Sequence, residues 1–193
     1  MIKKLGSLLI VVLLVSNTGW AQTENPDSKN LTKEEKKALK LAKKDDEARK
    51  REEALVNYQT IAENKMWVLE AHTVFEKGGR SFPMNPSVNF VSVEGDVTTI
   101  QLSFNGILGW NGVGGITLEG KTTKYVVSES KNSITITMTA LGSGMGPVDL
   151  LVTIGSDGSG RATASGNWGE RITFAGNFVD FGDSNVYKGT PRY

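Results

Sequence analysis

Between Met66 and Val179 apolar residues recur at every second position, in short segments separated by turn formers and never by a helix-length apolar pattern. Period two is the spacing of a strand with one buried face. Three segments show it most cleanly: Ile100, Leu102 and Phe104; Ile134, Ile136 and Met138; and Ile172, Phe174 and Phe178, with Thr or Ser at many intervening positions. The predicted strands are Trp67–Phe75, Val88–Val93, Val97–Phe104, Ile116–Ser128, Ser133–Ala140, Val148–Ile154, Arg161–Ser165 and Arg171–Val179. In the first, Trp67, Leu69, Ala71, Thr73 and Phe75 are predicted to share one face, with His72 on the other.

Parallel neighbours need long crossover connections, for which this stretch has no room, so the strands are expected to pair antiparallel. Gly95-Asp96, Lys131-Asn132 and Asp157-Gly158 supply turn chemistry, and Asp-Gly is a strong hairpin signal. An all-β, antiparallel barrel-like domain of about eight strands is the favoured fold, with a two-sheet β-sandwich as the alternative. Closure removes exposed edges, and glycines at 106, 109, 112, 114, 115, 120, 166, 169 and 176 relieve crowding where strands coil.

A different pattern precedes the strands. Thr32 and Glu35 have capping-box spacing, and neither glycine nor proline interrupts the chain from there to Gly78, so a helix is predicted over residues 32–64. Its first half is dominated by charge, with Asp45-Arg49, Asp46-Lys50 and Glu47-Arg51 at i,i+4 spacing, each pair contributing only ~0.3 kcal/mol. Leu55, Tyr58, Ile61 and Ala62 form an apolar stripe in the second half, the half expected to dock.

At the N-terminus, Lys3 and Lys4 precede the apolar run Leu8–Val15, and Gly19-Trp20-Ala21 follows. These are the parts of a cleavable export signal over residues 1–21, with cleavage expected between Ala21 and Gln22. The run is too short to span a bilayer, for which a helix needs about 20 residues, so no membrane span is expected after processing. Residues 22–31 read as a flexible tether, 65–189 as the barrel-like domain and 190–193 as a C-terminal tail. The predicted location is periplasmic or secreted.

Loss of the signal's two lysines leaves 20 basic against 21 acidic residues. That balance gives no general attraction to nucleic acid or anionic lipid, and no nucleic-acid partner is expected. Cysteine is absent, which removes disulfides, thiol catalysis, thiolate metal sites and attachment of lipid to a processed N-terminal cysteine.

Four segments, Asn89-Phe90-Val91, Val93-Glu94-Gly95-Asp96, Gly114-Gly115-Ile116-Thr117-Leu118-Glu119-Gly120 and Arg171-Ile172-Thr173-Phe174-Ala175-Gly176, together resemble an exported Bacteroidota family known as domain of unknown function 4251. The resemblance covers roughly Trp67 to Gly189, and the preceding signal and charged helix also follow the family's order. It implies a β-rich, barrel-like exported domain and carries over no activity and no functional residues. Leu102-Ser103-Phe104-Asn105-Gly106 stands where the family often has a proline-containing motif.

No catalytic constellation stands out. His72 is the single histidine, without a motif that would supply a base partner or further metal ligands, and reads as an exposed strand residue. The glycines from Gly109 to Gly115 lack the endings of a phosphate loop or a dinucleotide fingerprint and precede a strand. Residues 155–160 contain a single carboxylate, Asp157, too few for a calcium loop, and Asp180-Phe181-Gly182-Asp183 reads as a turn without kinase elements. No catalytic residue, metal site or cofactor is expected.

The candidate ligand contacts are aromatic. Trp110 with Asn111, and Asn167 with Trp168, each set a tryptophan beside an amide in a glycine-containing stretch. Such a pair can stack on a ring and hydrogen-bond its edge, or the rings can plug the barrel ends. The reading is a non-catalytic binding or envelope-accessory module whose partner is an unknown small molecule or an envelope protein. The alternatives are a carrier of an apolar or glycan ligand using the two tryptophans and, ranked last, a carboxylate-dependent hydrolase.

Overall fold

The computed structural model describes residues 32–104, 114–142, 146–166 and 171–190. The signal-like segment, the cleavage position Ala21/Gln22 and the tether lie outside them. The chain divides into two units, residues 1–41 and 42–193.

Among the described residues one helix, α1 (Lys33–Glu63), precedes nine strands: β1 (Met66–Phe75), β2 (Ser81–Pro83), β3 (Phe90–Glu94), β4 (Val97–Ser103), β5 (Gly115–Ser130), β6 (Ser133–Gly142), β7 (Gly146–Gly155), β8 (Ser159–Gly166) and β9 (Arg171–Asp180). The start of α1 is the expected capping box: the Thr32 backbone N–H donates to Glu35 Oε2 at 2.8 Å, and the Glu35 N–H donates to Thr32 Oγ1 at 3.3 Å. Further along, Asp46 accepts from Arg49 and Lys50, both at 2.7 Å, so Arg49 reaches Asp46 in place of the expected Asp45.

Every strand pairing is antiparallel, and β1 also pairs with β9, from Trp67 opposite Asp180 to Phe75 opposite Thr173. That pairing closes β1, β3, β4, β5, β6, β7, β8 and β9 into an eight-stranded barrel, with β2 an extra strand beside the end of β1. The sandwich alternative is therefore replaced by the closed barrel. The three expected turns join β3 to β4, β5 to β6 and β7 to β8. Closure demands a very close approach at Gly176, where a Cβ would overlap the Glu70 carbonyl oxygen.

The inner face carries one continuous apolar core, including Trp67, Leu69, Val91, Val93, Ile134, Ile136, Met138, Leu150, Val152, Ile154, Phe174 and Phe178. Alternation holds along most strands, and β7 buries Val148, Leu150, Val152 and Ile154 in turn while exposing the residues between them. On β1 it breaks. Pairing with β9 skips from Ala71 to Thr73, leaving His72 as an exposed bulge residue. Beyond the bulge the phase inverts, so Val74 is buried and Thr73 and Phe75 leave the face they were expected to share with Trp67. A second bulge in β5 lies between Thr123 and Val126, with Lys124 at φ 49°.

β2 has no counterpart among the predicted strands: three exposed residues with a proline give no alternation to read. The Asp180–Asp183 turn is present as a short 3₁₀ segment, with the Gly182 N–H donating to Asp180 Oδ1 at 2.8 Å.

Candidate functional site

The topology gives the barrel two unlike ends. At one lie the three tight turns and the junction from α1 into β1. The connections from β4 to β5, β6 to β7 and β8 to β9 leave from the other, as does the path from β1 to β3.

The first end is closed by the last turns of α1. Leu55 and Ala62 are buried, and Tyr58 and Ile61 pack against the core. The Tyr58 ring meets Phe178 edge-on with centroids 6.0 Å apart, and Phe178 in turn lies 5.3 Å from Trp67. Tyr58 also presses on the β7–β8 turn. Gly158 sits there at φ 78°, and a Cβ on it would come within 2.5 Å of the Tyr58 hydroxyl, so both its backbone angle and its neighbour require glycine.

Tyr125 completes this closure. The bulge at Lys124 breaks the phase of β5, and the Tyr125 hydroxyl accepts from Trp67 Nε1 at 3.0 Å and donates to the Ala62 carbonyl at 2.5 Å. The two bonds tie β5, β1 and the end of α1 together. Burial pushes the Tyr125 phenol up to about 12, with the Trp67 N–H acting weakly the other way. Lys65 lies over the ring at 5.3 Å and pairs with Asp96 at 3.2 Å.

At the second end, among the described residues, the core stops short. A cavity of about 240 Å³ is bounded by Ile100 and Leu102 of β4, Ile116 and Leu118 of β5, Val148 of β7, Ala164 of β8, and Ile172 and Phe174 of β9. All eight side chains are hydrocarbon, and Ile116 is still 47% exposed. The flanking strand ends Phe104, Gly114, Gly166 and Arg171 stand at this end, and Phe104 N–H donates to the Gly114 carbonyl at 3.0 Å. The expected ligand contacts Trp110, Asn111, Asn167 and Trp168 fall in the segments joining those ends and lie outside the described residues.

The outer wall offers less. A shallow cleft of about 450 Å³ borders Asp96, Val97, Glu119, Gly120, Lys121 and Leu141. Its two carboxylates are already engaged, Asp96 with Lys65 at 3.2 Å and Glu119 with Lys188 at 2.6 Å. Among the described residues no cluster of three or more His, Asp or Glu side chains is placed to hold a metal. His72 has Nδ1 3.0 Å from Thr73 Oγ1, on the exposed bulge. No helix among the described residues is long and apolar enough to cross a membrane.

A buried polar node on the outside of β4 escaped the sequence reading. Gln101 is fully buried although it faces away from the core. Its Nε2 donates to the carbonyls of Val88 (3.0 Å) and Tyr187 (2.8 Å), and its Oε1 accepts from Thr117 Oγ1 (2.9 Å) and the Gly189 N–H (2.7 Å). The chain after β9 thus crosses back over β3 and β4, where Tyr187 N–H also bonds Ser87 O at 2.7 Å. All four bonding positions of the amide are used, which is what a buried glutamine requires.

Comparison with known proteins agrees with this architecture. A crystal structure of a DUF4251 family protein from Bacteroides eggerthii DSM 20697 superposes with a TM-score of 0.57 at 25% sequence identity, covering 68% of this chain and 91% of that one. Comparison with curated proteins gives no match. The family model described as a domain of unknown function, DUF4251, matches residues 49–178, from the second half of α1 to β9. With the matched stretch holding both the docking turns of the helix and all eight barrel strands, the chain belongs to the DUF4251 family.

Proposed function

We propose that this protein is an exported, non-catalytic binding module whose ligand is a compact apolar molecule held in the cavity at the second end of the barrel. The observation that carries this reading is the cavity itself: about 240 Å³ bounded by hydrocarbon side chains, beside the continuous apolar core of the barrel. Atoms facing such a void lack dispersion partners, and water gains nothing by entering it. An apolar occupant restores those contacts.

Size and polarity narrow the class. A dry apolar cavity of roughly 150 Å³ accommodates benzene in another protein, while sites for drug-sized ligands start at roughly 300 Å³. The cavity here falls between. Sugar hydroxyls inside it would lose their hydrogen bonds to water and find no partner on the walls, so the glycan alternative is the weaker one. The non-catalytic reading is supported by the ion pairs that occupy Asp96 and Glu119, and export by the signal-like composition of residues 1–21.

A titration with benzene, followed by methyl NMR, tests the binding reading. Methyl shifts are expected at Ile100, Ile116, Leu118 and Ile172 and not at Ile134 or Ile154, whose side chains are fully buried. Uniform small shifts, or none at the cavity, would refute it.

A further inference from the structure

Along β8 the inward positions are all small: Gly160, Ala162, Ala164 and Gly166. Two of them are small for different reasons. At Gly160 the space is already used, since a Cβ there would come within 2.5 Å of Leu69 Cδ1. At Ala164 the neighbouring space is the cavity. The missing side-chain volume at Gly160 is filled by the protein, and at Ala164 by nothing of the protein's own among the described residues.

The shape of the enclosure limits what enters. An eight-stranded barrel is only wide enough inside for side chains or one small ligand. Here β4 contributes Ile100 and Leu102, and β9 contributes Ile172 and Phe174. Each pair is two residues apart, so the cavity runs along the strands for roughly 7 Å, one inward repeat. A narrow, uncharged space of that depth suits a single hydrocarbon chain entering end-on.

Resting on the binding reading above, we propose that the ligand is a single unbranched hydrocarbon chain, and that Ala164 is the specificity-determining residue that fixes how many carbons it can bury. The headgroup stays at the mouth, because no polar side chain lines the interior.

A series of 1-alkanols of increasing length, titrated calorimetrically into the full chain and its variants, tests this. Affinity should rise about fourfold per added carbon, the equivalent of about 0.8 kcal/mol per buried methylene, until a length limit beyond which it is flat. Ala164→Leu adds three carbons to the wall and should shorten the limit by about that number, as a close-packed interior requires. Ala164→Gly should lengthen it by about one. The glycine variant keeps the test decisive should the leucine variant overpack.

The outcomes separate the two readings. If no alkanol binds the unsubstituted chain while benzene does, the apolar-ligand function stands and the single-chain ligand is overturned; if neither binds, the function itself falls. If alkanols bind with a length limit that neither variant moves, the function stands and the role of Ala164 is overturned. Binding that never reaches a limit would overturn the end-on, single-chain geometry.

Discussion

The two ends of the barrel are built from the same strands by opposite means. At the helix end Trp67, Phe178 and Tyr58 pack in series, Tyr58 edge-on to Phe178, and the Tyr125 hydroxyl binds both Trp67 and the end of α1. At the other end the cavity-lining residues are aliphatic apart from Phe174, Ile116 is half exposed and a cavity remains. The contrast predicts that stability is concentrated at the helix end and that side chains at the other end are lost at smaller cost. This is the division expected where a rigid scaffold carries a binding site.

The comparison breaks most readily at Trp67, which is fully buried. Trp67→Ala should lower unfolding free energy by about 3–5 kcal/mol, as deletion of a large packed aromatic does, measured by chemical denaturation. A loss below about 1 kcal/mol, the ordinary size of a surface effect, would erase the distinction between the ends.

Tyr125→Phe comes next. It keeps the ring but strips the Trp67 N–H of its partner and leaves the Ala62 carbonyl with the Lys65 N–H alone, a change of about 1–3 kcal/mol for a group left unsatisfied. The same hydroxyl predicts a pH dependence. The phenol is raised from 10.0 to about 12 in the folded protein, so the native state holds the proton more tightly than the unfolded chain does. The stability linked to it is complete below about pH 10 and is lost as pH rises through about 12. Thermal melts across that window should fall for the unsubstituted chain and fall less for Tyr125→Phe.

At the opposite end, Ile116→Ala should lower stability by no more than about 1 kcal/mol, because its side chain already borders empty space and solvent. A loss equal to that of Trp67→Ala would show a core as tightly packed there as at the helix end. The smallest effect concerns the charged half of α1. A chain beginning at Glu53 should unfold cooperatively within about 0.5 kcal/mol of one beginning at Gln22, since solvent screens the ion pairs it lacks. Leu55 is the first buried residue of the helix, and a chain beginning after Ala62 should fall far below both.

Much of this architecture was legible because it is local. The capping box, the Asp157-Gly158 turn and the alternation in β6 and β9 each depend on residues within a few positions of one another. What escaped depends on distant partners. The phase change at His72 becomes visible only in register with Ala175 and Gly176 of β9. Gln101 looks like an outward polar residue between Ile100 and Leu102, and nothing near it announces that Tyr187 and Gly189 will cover it. The cavity is subtler still, arising from a sum of side-chain volumes over five strands. Alternation marks Ile116 and Leu118 as inward without saying whether anything fills the space they face. The candidate tryptophans at 110 and 168 lie outside the described residues, so the proposed binding end rests on the hydrocarbon wall instead.

The pairing of β1 with β9 has a consequence for how the chain reaches this state. A polypeptide made from its N-terminus completes β1 first, yet Trp67 finds Asp180 only when nearly the whole chain is present. Closure is thus a long-range event, and such contacts slow folding because the intervening loop must be ordered before they form. Until then β1 has an unpaired edge on a strand rich in buried apolar residues, the kind of segment that seeds aggregation. The charged first half of α1 lies upstream of that strand, separated from it by the docking turns from Leu55 to Ala62. Its position is that of a gatekeeper, keeping the waiting edge in solution while the ninth strand is still to come.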